Sequence, residues 1–362
     1  MASRRHQYRQ RGVAVVTALL LTTLAVTIVA SLFWQQQVQV RSIENQRLQL
    51  QKQWIMRGAL DWARLILREN ARLSNYDSLD QPWAVPLLDT RLDQYVENNR
   101  ADTESSDATL SGQMVDAQGL YNLTNLAPKG TPDKKQVEIF ARLLASQRLN
   151  PSLAVDTASM VAASVPRQAL PAASEAGAGQ EIDPQTGLPR VNAGTNTSSN
   201  AENSQGKTPV TVSSQRLMPM TQVEDLLVVP GFTPEAVEKL RNLVIFLPDG
   251  ETKLNINTAP PEVMAAVIDD ISPSQAAQIV AIRNTASFRS STTLVNDLKS
   301  VTQGTPRNVT VCSSFFLVNG RVRLNRAALQ TQALLKRTGT RTTGGDCAAG
   351  PAKTELVWIR EN

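Results

Sequence analysis

No residue from Val13 to Trp34 carries a charge, and this run constrains the chain more than any other feature. As a helix rising about 1.5 Å per residue, it spans roughly 33 Å, enough for a bilayer core of about 30 Å. A helix buried in a soluble core is seldom apolar on every face over so many turns. The run therefore predicts one membrane-spanning helix. Arg4, Arg5, Arg9 and Arg11 precede it, and glutamines follow it. Positive charge is retained on the cytoplasmic side, so the N-terminus is expected there and the remainder is expected to be exported. A cleaved secretory signal fits less well. Its apolar core would span about 7–15 residues and end at a small-x-small site, and no A-x-A ends this run.

The net charge of +5 belongs to the leader. Without those four arginines, acids and bases nearly balance. His6, in the same leader, is the only histidine. A chain starting after Gly12 has none, which excludes a His-based triad, a Cys–His pair and any His-ligated metal site. Cys312 and Cys347 are too few for a zinc site and suffice for one disulfide in an oxidising compartment. No motif supports an enzyme. No D-x-D-x-D-G loop occurs, so no cofactor is expected; calcium is left open, with its ligands unassigned.

The basic leader ends in Gly12, and the apolar run starts at Val13. This junction resembles the class III signal of type IV pilins and pseudopilins, which prepilin peptidase cuts after the glycine. The resemblance implies cleavage between Gly12 and Val13, with methylation of the new terminus. Thr17 then stands at the fifth mature position, where most such proteins carry glutamate. The missing glutamate is a mark of the K subunit among type II secretion pseudopilins.

Past the bilayer the helix is expected to continue to residue 76. From Arg41 to Arg72 there is no proline and one glycine, Gly58, and apolar residues recur at helical spacing. Trp54 and Trp62 are read as packing residues. Pro82 and Pro86 break the helical pattern. DATLSGQMVDAQGLYNLTNL partly alternates and reads as a two-stranded ribbon, with Gly112 and Gly119 near turns. VDAQGLYNLTNL resembles a signature of the K subunit, at Asp116, Gly119, Tyr121, Asn122 and Leu123. Tyr121 and Leu123 are expected in the core, and Asn122 on local backbone. Thr131 is a reasonable cap for a helix running to Gln147. Residues 166–214 are rich in small and polar side chains and read as a disordered linker.

Residues 221–300 read as two helix-turn-helix repeats resembling helix-hairpin-helix units, many of which bind the DNA backbone. Thr258 is expected to cap one helix, and Ser272 or Ser274 to start another. Two features oppose a DNA partner. The second turn holds Asp269 and Asp270, and from Thr221 to Thr302 six bases face ten acids. LNINTAPPEVMAAV closely resembles the K family's Asn-x-Asn-Thr-Ala segment, at Asn255, Asn257, Thr258 and Ala259. After Pro306 the pattern is extended, with Asn319-Gly320 as a hairpin signal. Cys312 and Cys347 are expected to join within this sheet region, stabilising by roughly 3–4 kcal/mol.

The expectation is an α+β pseudopilin fold: a long N-terminal helix packed on a small antiparallel sheet, with a large inserted helical domain of helix-hairpin-helix-like units. Its parts are a leader (1–12), the transmembrane and assembly helix (13–76), the pseudopilin domain (77–125 and 303–362) and the insert (126–302). The resemblance to the minor pseudopilin K family of type II secretion implies a tip subunit in the inner membrane with periplasmic bulk. It implies as partners the I- and J-type minor pseudopilins, the major pseudopilin, prepilin peptidase and the inner-membrane assembly platform, and no nucleic acid. The alternative is a membrane-anchored periplasmic helix-hairpin-helix DNA-binding protein.

Overall fold

The structure, a computed structural model, describes residues 11–92, 108–164, 218–298, 301, 308–324, 327–339 and 351–361. In chain order the elements begin with α1 (Arg11–Leu73), β1 (Leu87–Arg91), β2 (Ala108–Asp116), β3 (Tyr121–Asn122), α2 (Lys134–Ser146) and α3 (Leu153–Ser164). There follow α4 (Pro234–Leu240), β4 (Val244–Ile245), β5 (Leu254–Asn255), α5 (Pro261–Val267), α6 (Pro273–Thr285) and α7 (Ser291–Leu298). The last strands are β6 (Val309–Thr310), β7 (Phe315–Leu324), β8 (Ala327–Thr338) and β9 (Lys353–Glu361). The expected linker, 166–214, lies outside the described residues.

The chain forms two compact units, Met1–Ala117 with Val311–Asn362, and Gln118–Thr310. The units change over at 117/118 and 310/311, whereas the sequence placed the insert at 126–302.

In the first unit, α1 carries the apolar run and continues without a break onto a sheet ordered β1-β2-β7-β8-β9. All neighbouring strands are antiparallel. Met56, Leu60, Ala63, Leu67 and Ala71 recur every three or four residues, so they share one face of the helix, and all are buried. Leu60, Ala63 and Leu67 share a cluster with Phe316 and Val318 of β7, Ala333 and Leu335 of β8, and Trp83. Trp83 sits in a 3-10 turn, Pro82–Ala84, and meets Phe316 edge-on at 5.2 Å between centroids. The prolines that end the helical pattern thus place a core tryptophan.

Two sequence expectations fail here, both at glycines. The ribbon over 107–126 is instead one strand, β2, followed by a 3-10 turn at Ala117–Gly119 that leads to β3 in the other unit. Asn319-Gly320 makes no hairpin but lies mid-strand in β7, and β7 meets β8 at Leu324↔Ala327. Gly112 and Gly320 stand opposite each other across the strands. A Cβ on Gly320 would come within 2.9 Å of Met56 Sδ. These glycines serve close approach, and the apolar alternation running through them outweighs the local turn preference.

The second unit is mostly helical, with two short parallel strand pairs, β3–β4 and β5–β6. Its helix starts correct two expected caps. Asp133, not Thr131, caps α2, its carboxylate accepting from the backbone N–H groups of Lys135 and Gln136. Pro260 precedes α5 without a side-chain cap, and the Thr258 hydroxyl donates to the Asn255 carbonyl. Ser272 does start α6, in a reciprocal capping box with Gln275. Gly231 turns the first hairpin at φ +101°, a conformation suited to glycine.

Candidate functional site

The candidate site is α1 together with the structure that holds its far end. Gly12 and Val13 lie in its first turn. From Val13 through Arg47 every side chain is exposed, as an apolar surface is when lipid or neighbouring helices cover it. Thr17 Oγ1 lies 3.0 Å from the Val13 carbonyl and 3.1 Å from that of Ala14. Thr22, Thr23 and Thr27 likewise donate to carbonyls three residues back. Each hydroxyl is satisfied by its own helix, so the apolar half presents no unmet polar group from its threonines.

Further along, Trp54 and Trp62 do not pack into the core. They are 68% and 51% exposed, and Trp62 borders an apolar groove between α1 and the sheet edge. The spacing assigned them to the inner stripe, but the inner stripe is Met56, Leu60, Ala63 and Leu67. Arg57 lies over the Trp54 ring at 5.5 Å.

The end of α1 is fixed by a buried polar cluster that sequence reasoning missed. Asp77 follows the helix and accepts from Asn70 Nδ2, from the Ser313 backbone N–H and from the Arg337 guanidinium. Arg337 also donates to the carbonyls of Leu67 and Ser313 and lies 4.8 Å from the Phe316 ring centre. Ser313 Oγ donates to Asp116 at 2.6 Å. Asp116, the single charge of β2, and Arg337, beside the apolar Ala333-Leu334-Leu335 run of β8, were the available signal. Cys312 adjoins this cluster and is buried. Among the described residues no cysteine is free; Cys347 lies outside them.

In the second unit the two strings that carried the family resemblance come together. Gln118 Nε2 donates to the Lys253 carbonyl, and a Cβ on Gly119 would stand 2.8 Å from Thr258 Oγ1. Asn122 does more than bind local backbone. Its Oδ1 accepts from Thr124 and Leu247 N–H groups, and its Nδ2 donates to Asp249 O and Thr252 Oγ1. Asn257 clamps Phe288 by accepting from its N–H and donating to its carbonyl. Asn255 Oδ1 accepts from the Asn257 N–H. These asparagines hold loops, and their partners lie up to 130 residues away. Tyr121 and Leu123 are buried as expected, with Tyr121 stacked on Phe140 at 5.9 Å. Burial, and secondarily the charge of Asp133, push the Tyr121 phenol upward in pKa. Burial lowers that of Arg283, whose Nη1 donates to the carbonyls of Ile256 and Ala259.

The turn of the second hairpin presents carboxylates. Asp269 pairs with Arg142 at 3.0 Å, and Asp270 adopts φ +58°. The DNA-binding alternative gains nothing from this geometry. Among the described residues, no group of three or more His, Cys, Asp or Glu could hold a metal ion.

Comparison with known proteins is consistent with this arrangement. A family model described as type II secretion system protein K matches residues 254–309, and a second of the same description matches 119–249. Together they cover slightly more than half of the chain, within the second unit. The chain is 26% identical over 288 residues to the type II secretion system protein K of Pseudomonas aeruginosa, covering 78% of this chain and 74% of that protein. Its fold resembles a chain in the crystal structure of the GspK-GspI-GspJ complex from enterotoxigenic Escherichia coli, with a TM-score of 0.52. The identity there is 18%, and 89% of this chain and 99% of that chain are covered.

Proposed function

Because the chain belongs to the type II secretion system protein K family, and is thus a minor pseudopilin, we propose that it is the tip subunit that helps initiate the pseudopilus. Its N-terminus lies in the cytoplasm, α1 crosses the inner membrane once, and the rest of the chain beyond the apolar run is periplasmic. Prepilin peptidase cuts between Gly12 and Val13, opening the first turn of α1 so that glycine can lie extended in the protease. The new terminus is methylated. At the assembly platform, the mature helix packs against I- and J-type minor pseudopilins, and the major pseudopilin extends the filament from below. The filament pushes folded proteins towards the outer membrane. The role is mechanical, and no residue is assigned a catalytic part.

The observation that carries this reading is one helix with two halves: an uncharged, wholly exposed run, and a continuation packed on a sheet. The tip position rests on Thr17. Its hydroxyl is closed on its own backbone and offers no acid to the terminal amine of a subunit above. In the oxidising periplasm, Cys312 pairs with Cys347 and secures the chain beside Ser313.

Mass measurement of the protein extracted from membranes tests this reading. The expected mass is that of a chain starting at Val13, with a methyl group and with two hydrogens fewer than the dithiol. An intact N-terminus, or loss of the whole apolar run, would overturn it.

A further inference from the structure

Leu50, Trp54, Gly58, Trp62 and Ile66 are spaced four apart and form a single ridge along α1. Leu50, Trp54 and Trp62 are 58%, 68% and 51% exposed. Between the tryptophans the ridge has a gap. A Cβ built on Gly58 meets nothing within 4 Å, so no contact among the described residues requires glycine there. Glycine nevertheless weakens a helix interior. The ridge passes at Trp62 and Ile66 into an apolar groove of about 410 Å³, walled opposite by Val85, Leu87, Leu110 and Met114. Its other flank is basic. Past the apolar run, α1 holds Arg41, Arg47, Lys52, Arg57, Arg64, Arg68 and Arg72 against Glu44, Asp61 and Glu69, with Lys52 turned to the Ala328 carbonyl. Arg68 and Arg72 share Glu69, at 3.8 and 3.2 Å.

We propose that this ridge and groove receive the helix of a second, different single-span subunit, with a bulky apolar side chain seated over Gly58 between Trp54 and Trp62. Acidic residues of that helix face Arg57, Arg68 and Arg72. The occupant follows from continuity and charge. The surface prolongs the membrane-spanning half of the same helix, so a partner anchored in the same bilayer emerges alongside it. A small crossing angle, about 20°, lets such helices stay in contact over several turns. The basic excess selects an acidic partner and disfavours a second copy of this chain. The proposal rests on the assembly reading above and names the surface that reading uses.

The test co-expresses the full chain with the I- and J-type subunits of its own secretion system and recovers it from detergent-solubilised membranes. Thermal unfolding of the chain alone is measured in parallel. Gly58→Leu is expected to cut recovery of at least one subunit tenfold or more, with the Tm of the chain alone unchanged or raised. Arg57→Glu with Arg68→Glu is expected to do the same, and the corresponding lysine pair to retain recovery. Normal recovery with Gly58→Leu and Trp62→Ala rejects the notch and leaves the assembly reading standing. A wild-type chain that retains neither subunit rejects both. Recovery of a differently tagged copy of this chain in their place overturns the choice of partner. A lowered Tm for Gly58→Leu alone shows that the gap serves the fold.

Discussion

The carboxylate of Asp77 and the guanidinium of Arg337 form an ion pair with almost no access to water, their side chains being 1% and 4% exposed. The pair joins the segment after α1 to β8, and further hydrogen bonds from Asn70 and Ser313 meet the remaining acceptor capacity of Asp77. A buried pair adds little over a well-packed apolar substitute, but removing one partner strands the other charge. Asp77→Ala should therefore destabilise the first unit by about 3–5 kcal/mol. Thermal unfolding of the detergent-solubilised chain reads this out. A variant melting within a degree of wild type would show that solvent reaches Arg337.

Gly119 and Thr258 tie the two resemblance-bearing strings together by contact rather than by hydrogen bond. A Cβ on Gly119 would lie 2.8 Å from Thr258 Oγ1 and 3.2 Å from the Thr258 carbonyl carbon. The side chain could be trimmed, but the backbone could not. Gly119→Ala should cost about 1–3 kcal/mol, and adding Thr258→Ala should recover only part of that. Full additivity of the two substitutions in a double-mutant cycle would refute the contact.

The sequence made long-range periodicity and composition readable and left local roles ambiguous. The uncharged run and the continuing helix follow from spacing alone, and Ser272 was one of two serines that could start α6. The charges of Asp77 and Arg337 do not, since their partners lie 260 residues apart. Trp54 and Trp62 fit the helical period but stay exposed, because apolar spacing does not say which of two stripes meets the sheet. Asn319-Gly320 carried a turn signal that tertiary packing overrode.

That override gives a paired prediction. At Gly112 a Cβ would stand 2.6 Å from the backbone oxygen of Asn319, whereas at Gly320 it would meet the flexible end of Met56. A side-chain tip moves cheaply and a paired strand does not. Gly112→Ala should lower the Tm clearly more than Gly320→Ala. Equal losses would mean that strand spacing, not helix contact, sets both positions.

Tyr121 makes stability depend on alkaline pH. Its hydroxyl donates to Gln136 at 3.0 Å, and burial raises its pKa above the ordinary value of about 10. Above that pH the unfolded phenol ionises while the folded one stays protonated, so the unfolded state binds fewer protons. Stability from this group is fully present below about pH 10 and falls above it by about 1.4 kcal/mol per pH unit. Tyr121→Phe loses a hydrogen bond worth about 1 kcal/mol. It should melt below wild type at pH 8 and approach or pass it near pH 11. Parallel curves across that range would contradict the assignment.

Thr17 separates a tip position from one inside the filament. Its hydroxyl is already satisfied by carbonyls one turn back, so Thr17→Val exposes no new polar group. Export of a folded substrate should be unchanged by that substitution. Thr17→Glu places a carboxyl in the bilayer, where a charged side chain costs about 2.5–3.5 kcal/mol at a helix centre unless paired. A subunit with a neighbour above could pair that carboxylate with the neighbour's terminal amine, but a first subunit could not. Export should therefore fall with glutamate and hold with valine. Undiminished export with glutamate would place another subunit above this chain.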